Sequence, residues 1–351
     1  MKSTILFSLS MILLFGCKQQ ESSASAVQEN APSDYLSFEG RDDQFTGGIK
    51  MIPINTDKGT FKVWTKRVGN NPAKKVLLLH GGPGMTHELY ECADGYFPQQ
   101  EIEYIYYDQL GSYYSDKPDD LELWSTERFV EEVEQVRKAL NLNSDNFYLL
   151  GQSWGGILAM EYALKYQNNL KGLVISNMMS SIPEYNAYAQ EVLGPQLDPE
   201  VYKEIKALED AEDFENPRYG ELLFEHYYTE HVLRLPPDQW PEAVLRSLNH
   251  ANNQVYVHMQ GYSEFGITGD ATLKEWDIKD RLKELSVPTL VIGAKHDTMD
   301  PDHMEWMSKE VQNGRYLFCP NGSHLSQYDD QKNYFGGVIN FINDVDKGTF
   351  Q

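Results

Sequence analysis

Short apolar runs, each ending in glycine or polar residues, set the rhythm of the chain. Val76 to Leu79, Tyr104 to Tyr107, Phe147 to Leu150, Gly172 to Ser176, Pro288 to Gly293 and Arg315 to Phe318 have the length and composition of buried strands. Stretches with helical spacing lie between them. Phe129, Val133, Val136 and Leu140 share one face of a helix predicted over Thr126 to Leu140, with Thr126 as its candidate cap. Ile157, Leu158, Met160, Ala163 and Leu164 mark another, and two more are predicted over Pro301 to Val311 and Asp330 to Val345. Strand alternating with helix implies an α/β fold, a mostly parallel sheet with helices on both faces. Ahead of it, Ile49 to Ile54 and Phe61 to Val68 flank Asp57-Lys58-Gly59 and read as an antiparallel hairpin, so structure is expected to begin near Phe45.

The alternation stops after Met178. From there to about Asp270 the chain is rich in Tyr, Glu, Leu and Pro, with helical patterning near Pro199 to Asp210, Tyr219 to Leu233 and Pro241 to Gln260 and no strand pattern. A helical insertion in an α/β chain reads as a cap over the carboxyl edge of the sheet. The expected division is a first core part at 45–177, a cap at 178–270 and a second core part at 271–351.

The first residues follow other rules. Lys2 precedes an apolar run, Ile5 to Phe15, that is too short to span a bilayer as a helix. A basic start, short apolar core and small residue describe an export signal over 1–17. Leu14-Phe15-Gly16-Cys17 resembles the lipobox of bacterial lipoproteins, with Cys17 as the lipidated residue and Phe15 in place of the usual small one. The expectation is a protein exported to the bacterial cell envelope and lipid-anchored, in the periplasm or at the outer membrane. Residues 18–44 begin with KQQESSASAVQENAPS, too poor in large apolar side chains to order itself, and read as a flexible tether.

A formal net charge of −23 argues against nucleic acid and anionic membrane surfaces as partners. Cys92 and Cys319 remain after Cys17; in an oxidising compartment they either pair or stay as two free thiols. No Cys-x-x-Cys and no His/Cys cluster suggests a metal, and no metal or organic cofactor is expected.

Candidate chemistry centres on Phe147 to Gly156, FYLLGQSWGG, a strand that runs through Gly-x-Ser-x-Gly into a helix. In that context the turn is a nucleophile elbow: it exposes the Ser153 hydroxyl above the sheet. A serine needs a base, and the base an orienting carboxylate. Asp297 follows the strand PTLVIG, and His324 in Asn321-Gly322-Ser323-His324 follows the next strand, giving the order Ser, Asp, His at one sheet edge. Asp300 and Asp302 compete with Asp297, although Asp302 more naturally supports the helix after Pro301. His296 precedes the carboxylate and is in the wrong order. His80-Gly81-Gly82-Pro83-Gly84 after the first parallel strand matches an oxyanion loop, where a Gly82 or Gly81 N–H joins the Trp154 N–H. Such donors are typically worth about 3 kcal/mol each in the barrier. His80 leaves its strand too early to be the base and is expected to brace the loop.

These motifs together, with Tyr107-Asp108-Gln109-Leu110-Gly111-Ser112, resemble the proline iminopeptidase family of α/β-hydrolase serine peptidases. The resemblance covers almost everything after the tether. It implies an aminopeptidase acting on small peptides with a free N-terminus, proline or another small apolar residue being removed. Leu110 stands where the family usually has an arginine, so the salt links of that loop differ. The resemblance also implies cap glutamates that hold the substrate amine: Glu264 in Gly261-Tyr262-Ser263-Glu264-Phe265, with Glu225 as first choice of partner and Glu230 second. An esterase or amidase on the same scaffold is the alternative, since a triad alone does not choose its acyl substrate. Dehalogenase and epoxide hydrolase chemistry of this fold use an aspartate where Ser153 stands. A non-catalytic binding protein fits poorly with three triad positions filled in order.

Overall fold

The computed structural model describes residues Asp34–Gln351; Cys17, the export signal and most of the tether lie outside the described residues. Eight strands form one sheet: β1 (Ile49–Thr56), β2 (Gly59–Val68), β3 (Lys75–Leu79), β4 (Glu103–Asp108), β5 (Phe147–Gln152), β6 (Gly172–Ser176), β7 (Thr289–Ala294) and β8 (Gly314–Cys319). Their spatial order is β1-β2-β4-β3-β5-β6-β7-β8. The hairpin β1–β2 joins β4 antiparallel, and every pair from β4 onward is parallel.

Side chains on a strand alternate between faces, and here each parallel strand feeds two cores. Leu77, Leu79, Phe147 and Leu149 face one core with Ile157, Leu158 and Val133; Val76, Leu78, Tyr148 and Leu150 face the other with Tyr90, Phe335 and Phe341. The covering helices are α1 (Thr126–Ala139) and α2 (Trp154–Tyr166), then α9 (Pro301–Glu310), α10 (Ser326–Asp329) and α11 (Gln331–Asp346). Helix α1 is capped by Ser125, whose hydroxyl accepts the Arg128 N–H at 3.4 Å, and Thr126 is its first helical residue rather than its cap.

Between β6 and β7 lie α3 (Ile182–Tyr188), α4 (Pro199–Asp210), α5 (Pro217–Leu223), α6 (Thr229–His231), α7 (Glu242–Asn249) and α8 (Asn253–Met259). Helix α3 escaped the sequence pattern although Ser181 caps it by accepting the Glu184 N–H. The stretch expected as one helix from Tyr219 to Leu233 contains a π-helical turn at Phe224–Tyr228. That expected over Pro241 to Gln260 breaks at Asn252, whose side chain caps α8 and whose own N–H donates to Gly84 O at 2.9 Å. Asparagine competes for its backbone at such positions, and the break docks the insertion on the His80–Gly84 loop.

Order begins earlier than Phe45. Tyr35 is buried and its hydroxyl donates to Ile102 O at 2.6 Å, while Arg41 and Arg67 both bind the Asp43 carboxylate. Residues 34–44 are therefore anchored to the core at Tyr35 and Asp43 although most of them stay exposed, a correction to the tether's expected end. One aromatic anchor and one buried carboxylate held by two arginines suffice where composition predicts only a linker. Cys92 and Cys319 are both free thiols, pushed up to about 12 by burial.

Candidate active site

The elbow is made by crowding. A Cβ on Gly151 would lie 1.9 Å from Gly155 O, and one on Gly155 would lie 2.1 Å from Leu79 O, so only glycine lets α2 leave β5 this steeply. Between them Ser153 is held at φ +56°, a strained backbone for a non-glycine residue. Its N–H donates to Ser176 O at 3.1 Å, which pins the turn to β6. Trp154 is the first residue of α2, so its N–H has no intrahelical acceptor. Its indole Nε1–H donates to Gln109 Oε1 at 2.8 Å.

Loops after β7 and β8 bring the acid and the imidazole together. His324 Nδ1 lies 2.8 Å from Asp297 Oδ1; a carboxylate only accepts, so Nδ1 carries the proton and Nε2 is left as the basic nitrogen. Nε2 is buried without a hydrogen-bond partner, and His324 lines the same cavity as Ser153. Burial pushes the His324 imidazole down, but the charge and hydrogen bond of Asp297 outweigh it and hold the ring above the ordinary histidine value. Asp297 is itself buried and takes further bonds from Asn177 Nδ2 at 2.7 Å and Met299 N–H at 3.1 Å. Asp300 instead caps α9 through the Asp302 N–H, and Asp302 lies in that helix's first turn. Asn177, at positive φ past the end of β6, and Thr298, 3.1 Å from His324 Nδ1, were not foreseen. The signal for Asn177 was its place at a strand's carboxyl end beside two strands that carry chemistry.

Gly81 and Gly82 line the cavity, and a Cβ on Gly81 would meet Ser153 Cβ at 3.1 Å, so this backbone lies directly against the serine. His80 does brace the loop: Nδ1 bonds Gly81 O at 2.8 Å, and Nε2 accepts the Gln109 N–H at 3.2 Å. Burial pushes its ring down, which keeps it neutral. In the neighbouring loop Leu110 is buried, its N–H donating to Glu132, while Asp108 is taken by His87.

The cavity, about 290 Å³, is roofed by the insertion. Glu264 enters it with Oε1 accepting from Tyr256 OH at 2.5 Å and Oε2 buried without a partner. Tyr228 OH accepts the Glu264 N–H at 3.1 Å and Tyr185 OH donates to its carbonyl at 2.6 Å. Burial, then the charge of Glu264, pushes the Tyr256 phenol far up, so it stays a donor. Glu225 and Glu230 are not brought here. They line a separate recess with His226, His231 and His296, with side chains 63% and 59% exposed. The π-helical turn is the reason: it presents Phe224 and Tyr228 to the cavity and leaves Glu225 outward. Among the described residues no group of three or more His, Cys, Asp or Glu is placed to hold a metal.

A family model described as alpha/beta hydrolase fold matches residues 74–331. A proline iminopeptidase of Elizabethkingia meningoseptica is 61% identical over 300 residues, 86% of this chain and 100% of the relative. One from Flavobacterium johnsoniae is 62% identical over 295 residues, 84% of this chain and 98% of the relative. The chain belongs to the proline iminopeptidase family. Among solved structures, the crystal structure of a Mycobacterium smegmatis proline iminopeptidase is similar with a TM-score of 0.76 at 27% identity, covering 86% of this chain and 99% of that one. The range matched by the family model includes the insertion, where Glu264 and its tyrosine cage lie.

Proposed function

We infer that this protein is a serine aminopeptidase that releases one N-terminal residue, proline or another small apolar one, from peptides through an acyl-enzyme. The observation that carries the reading is Glu264 Oε2, buried and unpartnered in the cavity that also holds Ser153 and His324. A peptide's α-amine has a pKa near about 8 and enters mostly as a cation. A carboxylate with a spare oxygen is the partner that makes its burial tolerable.

With the amine at Glu264, Ser153 Oγ attacks the first carbonyl and its proton passes to His324 Nε2. Asp297 holds the resulting imidazolium in place. The developing oxyanion takes the Trp154 N–H and a Gly82 or Gly81 N–H. His324 then protonates the departing amine, and water, activated by the same nitrogen, releases the residue.

Truncating one side of such a pair typically costs about 2–5 kcal/mol. Glu264→Gln should therefore lower kcat/KM for prolyl or alanyl arylamides by about 30-fold or more, and leave p-nitrophenyl acetate hydrolysis nearly unchanged. N-acetylating the arylamide should be as damaging to the wild type. Equal cleavage of blocked and free substrates would replace this reading with an esterase or amidase.

We further propose that Cys17 carries a lipid anchor. The lipobox-like Leu14 to Cys17 and the basic, short apolar start support it. Cys17→Ser should move the protein out of the membrane fraction with its hydrolysis intact; retention in that fraction rules the anchor out.

A further inference from the structure

Exposure rises along the wall of the cavity. Ser153 and His324 at its base are 7% and 3% exposed, whereas Phe224, Leu248 and Tyr262 at its mouth are 37%, 46% and 37% exposed. Between them the lining is apolar, with Trp240 and Val244 among it. Among the described residues that line the cavity there is no lysine or arginine, and Glu264 is its one carboxylate. Cations on the flanking segments are already committed. Arg246, two residues before Leu248 on α7, binds Glu88, Glu91 and Glu242, and Arg234 binds Glu230.

We propose that this wall is a leaving-side subsite for an apolar residue whose own carboxylate is not free. The preferred substrates are then peptides of three or more residues, or C-terminal amides, with an apolar second residue; free dipeptides are disfavoured. The inference rests on the aminopeptidase reading. Such a substrate is fixed at two points, its ammonium at Glu264 and its first carbonyl at Ser153. Whatever follows must leave past the apolar wall. In a dipeptide the terminal carboxylate belongs to the second residue, about 3.8 Å in Cα spacing from the first. It is stripped of water there with no cation to receive it, which is costly for a full charge. An acidic second side chain meets the same wall. One more residue carries the carboxylate a further residue length toward the mouth and water, and amidation removes its charge.

The test is kcat/KM of the purified protein on prolyl-leucinamide, prolyl-leucyl-glycine, prolyl-leucine and prolyl-aspartic α-amide. The first two should exceed the last two by about tenfold or more. Leu248→Lys adds a cation at an exposed position of the mouth. It should narrow the leucinamide-to-leucine ratio several-fold by raising turnover of the free dipeptide, and Phe224→Arg repeats the test from another segment. Equal kcat/KM for prolyl-leucine and prolyl-leucinamide overturns the subsite, as does a ratio that neither added cation moves. Failure of every free-amine substrate would instead overturn the aminopeptidase reading.

Discussion

At the scale of single residues, Asp297 is the most informative position. It fixes the imidazole tautomer and raises its basicity, and the two effects separate by pH. Catalysis needs neutral His324, so activity is lost as pH falls through the histidine's value, which Asp297 holds above the ordinary one. Asp297→Asn should cost kcat by orders of magnitude, and the acid limb of its kcat/KM profile should move to lower pH. An acid limb unmoved in the variant would assign it to another group. Ser153→Ala and His324→Ala should each lose several orders of magnitude, and the double variant little more, because groups acting as one unit are not additive. The positions of Ser153, Asp297 and His324 were legible because each lies in the turn or loop that follows a strand, and strand ends are set by local pattern. Glu264 was legible only through resemblance. Glu225 and Glu230 could not be judged from pattern, since which way a cap side chain faces depends on a π-helical turn that no periodicity announces.

At the scale of elements, the sheet and its covering helices follow from apolar runs of strand length, and their bounds were readable to within a residue or two. The insertion was readable as helical but not in its breaks. Those breaks matter: Asn252 caps α8, its N–H reaches Gly84 O, and its Nδ2 donates to Gly111 O at 2.8 Å. A single residue thus ties the insertion both to the glycine loop beside the serine and to the loop after β4. Asn252→Ala should lower stability by about 1–2 kcal/mol through the lost cap and bond, seen as a lower denaturant midpoint. It should also lower kcat more than it raises KM, because the backbone N–H that donates to Gly84 O stays but loses the side-chain cap and the Gly111 bond that hold it against the glycine loop needed in the transition state. The Ser323–Leu325 segment is strapped in a similar way. His324 N–H donates to His231 O and Leu325 N–H to Val232 O, both at 2.9 Å, so the insertion holds the backbone of the catalytic imidazole as well as the roof above it.

Across the whole molecule, the insertion is held to the sheet edge by a buried charge. Glu88, in the turn-rich stretch between β3 and β4, is 0% exposed and accepts from Thr86 Oγ1 at 2.6 Å, Tyr114 OH at 2.9 Å and Arg246 Nη1 at 3.1 Å. His250, just past α7, adds a bond at 3.0 Å. Arg246 and His250 come from the insertion, Thr86 and Tyr114 from loops of the core. Burial pushes the Glu88 carboxyl up, but the bonds from Thr86, Tyr114 and His250 outweigh it and hold it below the ordinary carboxylate value. A carboxyl depressed in the folded state contributes stability that is fully present above its unfolded value and is lost as pH falls through the folded one. Glu88→Gln keeps the shape and one acceptor but not the charge. It should be less stable than the wild type at neutral pH by about 1–3 kcal/mol. That gap should begin to close as pH falls below the ordinary glutamate value of about 4.3 and be gone once it is below the folded carboxyl's own lower value, where the wild-type carboxyl is protonated too. Denaturant titrations of both proteins at neutral and acid pH measure it directly. A gap that stays constant down to acid pH would mean that Glu88 contributes through packing alone, and that the insertion is held to the core by its apolar contacts and by Asn252 rather than by charge.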